Sequence, residues 1–188
     1  MSYQAPRVIM PQRTNHFHNS MDDPLYQDAH SGVRSPEWMI KIDDLLKSSV
    51  DSFEDHAQLF SWKGYSKRKT TGDFGNLLFT SATLAHSMVE IEIANGSFAP
   101  ALETKMNKGE HLELMTLVRL GNAKDLKVKL QTIAFGNCRI GSFEQSADRL
   151  FLELYVTTKE NTVFEFGQDG VAVGQTVSKV DYSKNTAE

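Results

Sequence analysis

Few side chains in this sequence stand at the spacings that catalysis or metal binding requires. His16-Phe17-His18 has the His-x-His form of some metal sites, but no third ligand is near it in a polar, proline-containing stretch. The aspartate pairs at 22–23 and 43–44 have no neighbour that would separate their pKa values, which is typical of solvated loop charges. We therefore predict no metal site and no acid–base pair.

Cys138 is the one cysteine of the chain, so the sequence excludes an internal disulfide and any site built from several thiolates. The neighbouring Arg139 could favour a thiolate, but a nucleophile also needs a base, and the sequence places no histidine beside it. The stretch 72–75 has two glycines but lacks the lysine and following helix of a phosphate loop. We predict a protein that is not an enzyme and that uses no cofactor.

Charge and hydropathy point away from nucleic acid and membranes. The net charge of −4 arises from 24 acidic and 20 basic residues that are interleaved along the chain. The basic cluster Lys67-Arg68-Lys69 is interpreted as a solvated hairpin tip, with contact to acidic groups of a partner as the alternative. No signal peptide and no apolar span can be recognised, so we expect a cytoplasmic protein that does not insert into a membrane.

The first 37 residues differ from the rest. Four of the five prolines fall in the first 36 residues, and no apolar period is sustained there. Such a stretch buries too little apolar surface to offset its ordering entropy. We predict an extended N-terminal arm over 1–37 that is flexible unless assembly orders it.

From Trp38 onward, short runs of alternating apolar and polar residues predict strands. The stretch 43–57 is expected to be a loop or a short helical turn, and 167–188 is expected to be irregular. We predict a barrel domain over 38–170 and a C-terminal tail over 171–188. The predicted strands are 38–42, 58–69, 76–81, 112–120 (ending in a turn at Gly121-Asn122), 126–135, 150–157 and 163–166.

One segment fits two structures. Leu84, Met88 and Ile91 follow helical spacing, and Asn95-Gly96 would stop a helix. However, residues 89–93 also alternate as a strand. The residues leave this choice open. After it, 97–108 is expected to form a strand and a turn.

Several predicted strands are apolar on both faces. Ile133, Phe135, Phe151 and Tyr155 stand opposite the face that a small barrel or sandwich would bury. A helix, the tail or a neighbouring copy of the chain must then cover them.

The order of short motifs resembles the hemolysin-coregulated protein (Hcp) family, the inner-tube subunits of type VI secretion systems. That family opens with a strand of the type F-L-K-I-D-G-I, and its single helix ends in Ala-Asn-Gly. The corresponding strings in this chain are Met39-Ile40-Lys41-Ile42-Asp43-Asp44-Leu45, Leu59-Phe60-Ser61-Trp62-Lys63-Gly64, Ala94-Asn95-Gly96, Leu126-Lys127-Val128-Lys129-Leu130 and Ser146-Ala147-Asp148-Arg149.

The resemblance implies a mainly β protein, with a small barrel of antiparallel strands flanked by one α-helix, and it favours a helix over 84–93. It also implies hexameric rings that stack into a tube, ejected by sheath contraction from a bacterial cytoplasm without a signal peptide. Sheath, spike or baseplate components and effector proteins are then partners. The residues expected to mediate assembly are Tyr65, Lys67, Arg68, Lys69, Phe74, Ile133, Phe135, Phe151 and Tyr155.

Two alternatives remain from the sequence. A tail-tube protein of a phage or another contractile injection particle shares the implied architecture. A monomeric barrel that binds a ligand or peptide belongs to a different functional class.

Overall fold

The chain folds into antiparallel strands that are joined mostly by short connections. The computed structural model describes residues 37–43, 45, 53–71, 81–123, 126–167 and 171–187, which form eleven strands and one helix. The helix is α1 (Ala99–Lys108). The strands are β1 (Trp38–Ile42), β2 (Ala57–Lys63), β3 (Ser66–Thr71), β4 (Ser81–His86), β5 (Val89–Ala94), β6 (His111–Ala123), β7 (Leu126–Gln145), β8 (Arg149–Tyr155), β9 (Thr158–Phe166), β10 (Ala172–Asp181) and β11 (Thr186–Ala187).

Six of these strands close into a barrel. Their order is β7-β6-β1-β2-β5-β8, and β8 pairs with β7 to complete the circle. Every neighbouring pair is antiparallel. Closure gives each barrel strand a hydrogen-bonding neighbour on both edges, which removes the open edges of a flat sheet. The predicted class, mainly β with a small antiparallel barrel and a flanking helix, is confirmed.

The 20-residue strand β7 takes part in more than the barrel. One of its edges pairs with β6, whereas the other pairs with β9 over residues 131–136 and with β8 over residues 139–145. Strands β9, β10 and β11 therefore extend the sheet beyond the barrel wall, and we call them the side sheet. Strands β3 and β4 form a separate two-stranded sheet, which we call the hairpin arm.

Alternation in β8 fills the barrel as predicted. Leu150, Leu152 and Leu154 are at most 1% exposed, whereas Phe151 and Tyr155 face outward. Inward side chains of the other barrel strands complete one core. The period of two that the sequence shows is thus the physical basis of the barrel wall.

The predicted helix over 84–93 is wrong, because these residues form the end of β4 and most of β5. Val89, Ile91 and Ile93 are buried and alternate with half-buried neighbours. β-Branched side chains suit a pleated wall, and pairing with β2 and β8 satisfies the backbone on both edges. Pairing with β2 and β8 therefore decided between the helical and the strand period of this segment.

The helix lies instead where a strand and a turn were expected. Pro100 stands in the first turn of α1, and Gly109 ends the helix at φ 66°, donating from its amide to carbonyls of the last turn. Proline at a helix start and a left-handed glycine at its end are ordinary boundary signals. Phe98, Ala99 and Leu102 join the main core, so the helix packs on the barrel.

Strands β6 and β7 change the face that they bury, contrary to the single alternation predicted for 112–120. Leu112 is buried, but the next inward residue is Met115 rather than Leu114, which is 48% exposed. On the paired strand, Asn137 has φ 49° and precedes the buried Cys138. The register is the same on both sides of Asn137, with Leu112 opposite Cys138 and Leu114 opposite Gly136, so the two strands change their inward face together.

Two of the four apolar residues predicted on second faces are covered by the chain itself. Ile133 and Phe135 are each 2% exposed and belong to the main core. On another face, Phe53 packs with Met39 and Val118 in a second small core. The expectation that Ile133 and Phe135 need a tail, a helix or a neighbouring copy is therefore corrected, because the register shift between Lys129 and Gln131 turns them into the barrel.

Three further predictions are corrected. Gly121-Asn122 continues β6 rather than forming a turn, and the basic cluster 67–69 lies within β3 rather than at a hairpin tip. Residues 172–181 form β10 instead of irregular structure, because they pair with β9. The arm over 1–37, except Glu37, and the predicted strand at 76–80 lie outside the described residues. The domain boundaries stay a prediction.

Candidate assembly surfaces

Two aromatic residues form an exposed patch on the outer face of β8. Phe151 is 39% exposed and Tyr155 is 56% exposed, because the alternation that buries the leucines turns these rings outward. The Tyr155 ring lies close to Gly141 on β7, where a Cβ atom would stand 2.7 Å from the ring carbon Cε2. The missing side chain at Gly141 therefore lets the ring lie against the sheet. We call Phe151 and Tyr155 the β8 patch.

The side sheet offers a second surface of a different kind. Residues 172–179 of β10 are all exposed, and in the described structure β11 pairs only with the end of β10, at Val180 and Asp181. The outer edge from 172 to 179 thus has no neighbouring strand among the described residues. It carries no charge before Lys179, and Val173 is 68% exposed. Uncharged, exposed edges favour pairing with another chain. We call this stretch the β10 edge.

The hairpin arm leaves the barrel wall between β2 and β5. At its base, the Ser87 amide donates to the Tyr65 carbonyl at 2.9 Å, and the Tyr65 amide donates to the Ser87 hydroxyl at 3.0 Å. Tyr65 is 57% exposed and Lys67 is exposed. Arg68 and Lys69 follow in β3, so the arm carries a basic strand. Phe74 lies outside the described residues.

A stacked ion pair braces the barrel wall that carries the β8 patch. Glu92 on β5 pairs with Arg149 at the start of β8, and the Ser61 hydroxyl donates to Glu92 at 2.9 Å. The Arg149 guanidinium lies 3.7 Å from the centre of the Phe60 ring. The arginine and glutamate side chains are only 33% and 17% exposed, so the pair is partly shielded from solvent. These contacts fix where β8 begins.

Asn95 ties the end of β5 to the turn between β7 and β8. Its side-chain amide donates to the carbonyls of Ser146 at 3.0 Å and Ala147 at 3.3 Å, and its backbone amide donates to Asp148 at 2.9 Å. The string Ala94-Asn95-Gly96 therefore ends a strand and holds a turn, whereas the resemblance implied a helix end.

Among the described residues, Cys138 is built into the core and its neighbour Arg139 lies beside a histidine. Burial, together with the charge of Asp43, raises the pKa of the Cys138 thiol to about 12, and Sγ donates to the Phe135 carbonyl at 3.4 Å. Arg139 instead lies beside His111, with Nη2 2.6 Å from Nε2. The suggestion that Arg139 favours a thiolate at Cys138 is therefore wrong, because the thiol is enclosed by apolar atoms.

The one buried histidine among the described residues has a structural role. Its ring, that of His56, lies against Phe53 with centroids 5.1 Å apart, and Nδ1 is 2.6 Å from the carboxylate of Asp55. Burial lowers the pKa of His56, and the Asp55 charge opposes this effect. A hydrogen bond from Lys41 lowers the pKa of Asp55. The described ranges contain no cluster of three His, Cys, Asp or Glu side chains that could hold a metal ion. The pair at 16–18 lies outside them.

Comparison with solved structures identifies the architecture. A structure described as that of a type six secretion system protein aligns with a TM-score of 0.70 and 13% identity, over 82% of this chain and 100% of its own. Hcp1 from Salmonella typhimurium aligns with a TM-score of 0.63 and 18% identity, over 80% and 97%. This chain has the Hcp fold. Hcp2 from the same organism gives a TM-score of 0.55 and 20% identity, over 79% and 98%.

The resemblance stated from the motifs is thus confirmed as a shared fold. No protein-family model matches the sequence, and no curated protein matches it. At 20% identity or less, backbone geometry carries the likeness to Hcp. The described part of the chain has no helix with the length and apolar character to cross a membrane.

The sequence pattern predicted only part of the exposed surface of this Hcp-like chain. Tyr65, Phe151 and Tyr155 are exposed, whereas Ile133 and Phe135 are enclosed. Leu114, Val163 and the whole β10 edge were missed. The signal for β10 was present, since Val171, Val173 and Val177 share the odd positions of a strand.

Proposed function

We propose that this protein is a structural subunit that forms hexameric rings, and that these rings stack into the inner tube of a type VI secretion system. The observation that carries the proposal is the Hcp fold, a closed and filled barrel that still presents large apolar side chains outside. Exposed aromatic residues and an open strand edge are surfaces that a partner covers.

A ring requires two different surfaces on each copy, because each subunit contacts one neighbour on either side through a head-to-tail interface. The β8 patch and the β10 edge form such a pair. Strand β8 pairs with one half of β7, and β9 pairs with the other half along the same edge and carries β10 on its far side. In the proposed ring, the β8 patch of one copy lies against the side sheet of the next.

The hairpin arm supplies the contact between stacked rings. Tyr65, Lys67, Arg68 and Lys69 lie on it or at its base, and Phe74 lies outside the described residues. Ile133 and Phe135 have no place in this proposal, because their side chains are enclosed. The basic β3 strand is suited to meet carboxylates on a second copy.

The wider setting follows from the fold. In this proposal the tube is ejected by sheath contraction, contacts spike and baseplate components, and carries effector proteins in its lumen. The protein is made in a bacterial cytoplasm and leaves through the apparatus. Its role is mechanical, in keeping with the buried thiol of Cys138.

The filled interior favours this role over a ligand-binding barrel. Phe135, Met115 and Leu117 are at most 2% exposed and occupy the space in which an interior ligand would bind. A phage tail tube shares the architecture, and the genes beside this one would distinguish the two settings.

Sedimentation velocity and negative-stain microscopy of the purified protein test the proposal. We expect particles about six times the mass of one chain and rings with a central hole. Single 21.1 kDa chains at high concentration in every buffer would refute ring formation and support the monomeric barrel.

A further inference from the structure

The hairpin arm is isolated from the barrel in its backbone hydrogen bonding. Among the residues that the structure describes, strands β3 and β4 pair only with each other, over six residue pairs. A two-stranded hairpin in water is marginally stable unless another element packs on it. The contacts at Tyr65 and Ser87 hold the base of the arm. The two strands beyond the base therefore need a contact with another element.

The turn between β10 and β11 makes contact with the arm through two side chains. The Tyr182 ring stacks on the His86 ring, with centroids 4.1 Å apart, and its hydroxyl hydrogen-bonds to Ser66. The Asn185 side-chain oxygen accepts from the Leu84 amide at 2.7 Å. Both strands of the arm are therefore held, β3 at its first residue and β4 at two positions.

The turn is itself firmly placed. The Asp181 carboxylate accepts from the Ser183 amide at 2.9 Å, the Ser183 hydroxyl at 2.6 Å and the Lys184 amide at 3.1 Å. The Tyr182 amide donates to the Thr157 carbonyl at 3.0 Å, and the Tyr182 ring packs against the main core. A turn anchored in this way can impose its position on a weaker element.

We propose that residues 182–185, which we call the C-terminal clasp, are the docking site of the hairpin arm. Tyr182 and Asn185 are positioning residues that fix the direction in which the arm projects. In the stacked assembly this direction decides whether the arm reaches a second copy of the chain, and that step rests on the proposed function. The arm and the clasp are about 100 residues apart in sequence, so no local pattern links them.

Hydrogen exchange on the full chain tests the clasp without requiring assembly. Tyr182→Phe removes the hydroxyl contact, and Asn185→Ala removes the acceptor for Leu84. Loss of one hydrogen bond corresponds to about a two- to tenfold change in an opening equilibrium. We expect hydrogen exchange in the amides of β3 and β4 to accelerate by this factor in each variant and by more in the double variant. Exchange in β8 is expected to stay unchanged.

Lys179→Ala is the matched control, because this side chain forms a surface ion pair with Glu160 on the neighbouring strand, outside the clasp. We expect wild-type exchange in the arm for the control. Wild-type exchange in the double variant, or equal acceleration in β8, would overturn the clasp.

A double-mutant cycle isolates the tyrosine contact. If Ser66 and Tyr182 act through their shared hydrogen bond, then Ser66→Ala and Tyr182→Phe accelerate exchange equally, and the combined variant adds nothing. Independent, additive effects would overturn the assigned contact.

Microscopy of Tyr182→Phe/Asn185→Ala tests the consequence for assembly. We expect rings to persist while stacks become shorter. Stacks of wild-type length despite a loosened arm would refute the role in projection but leave the docking contact in place. If the wild-type protein forms no rings, the proposed function fails, and the exchange experiment still decides the clasp.

Discussion

Removing the Tyr155 ring is the sharpest perturbation of the proposed ring contact. Tyr155→Ala deletes the larger exposed part of the β8 patch, whereas Tyr155→Phe deletes only a hydroxyl group. The ring lies outside the barrel core, so the fold is expected to survive both changes. Any change in assembly can then be attributed to the patch.

The magnitude follows from the exposed fraction. Tyr155 is 56% exposed. For a side chain of roughly 200 Å², this leaves about 110 Å² for a neighbour to cover. At about 25 cal/mol per Å², covering it contributes about 2–3 kcal/mol to each contact. This corresponds to about a 30- to 150-fold loss of affinity for Tyr155→Ala. Every subunit in a ring carries the same loss, so ring formation falls steeply.

Sedimentation velocity over a series of protein concentrations measures this effect. We expect Tyr155→Ala to form rings only at much higher concentration than the wild type, and Tyr155→Phe to behave like the wild type. Circular dichroism during heating checks that the barrel is intact in both variants. Rings of Tyr155→Ala at wild-type concentrations would refute the assignment of the β8 patch to the interface.

Three further predictions concern the fold that carries these surfaces. Asn95→Ala loses the donors to Ser146 and Ala147, and urea unfolding is expected to show about 1–2 kcal/mol less stability; a loss near zero would mean that water replaces these bonds fully. Cys138, whose pKa is raised to about 12, is expected to resist a thiol reagent at pH 8 until denaturant is added, and fast labelling of the native protein would contradict its burial. Because burial lowers the pKa of His56, the unfolded chain binds this proton more readily, so stability is expected to fall as the pH drops below the ordinary value of 6.5. His56→Gln is expected to flatten that part of the urea-unfolding profile, and an unchanged slope would exclude His56 as its source.

Local sequence pattern predicted the exposure of some residues in the candidate surfaces, whereas strand pairing decided the burial of others. The alternation of β8 is visible in the sequence, and it correctly predicted that Phe151 and Tyr155 face outward. The same reasoning failed for Ile133 and Phe135, because the strand is long and shifts its inward face along its length. The register shift at Leu130 depends on pairing with β6, and it leaves no periodic signal in the strand itself.

The sequence by itself determined the class of this protein. Period-two alternation and a single cysteine are local or compositional properties, and they specify a mainly β protein without an internal disulfide. Only the tertiary structure decided that 89–94 is a strand, that β10 pairs with β9, and that Tyr182 reaches the hairpin arm. The strand at 89–94 and the contact of Tyr182 depend on residues far apart in the chain, and β10 depends on its partner strand β9, so no pattern within one segment specifies them.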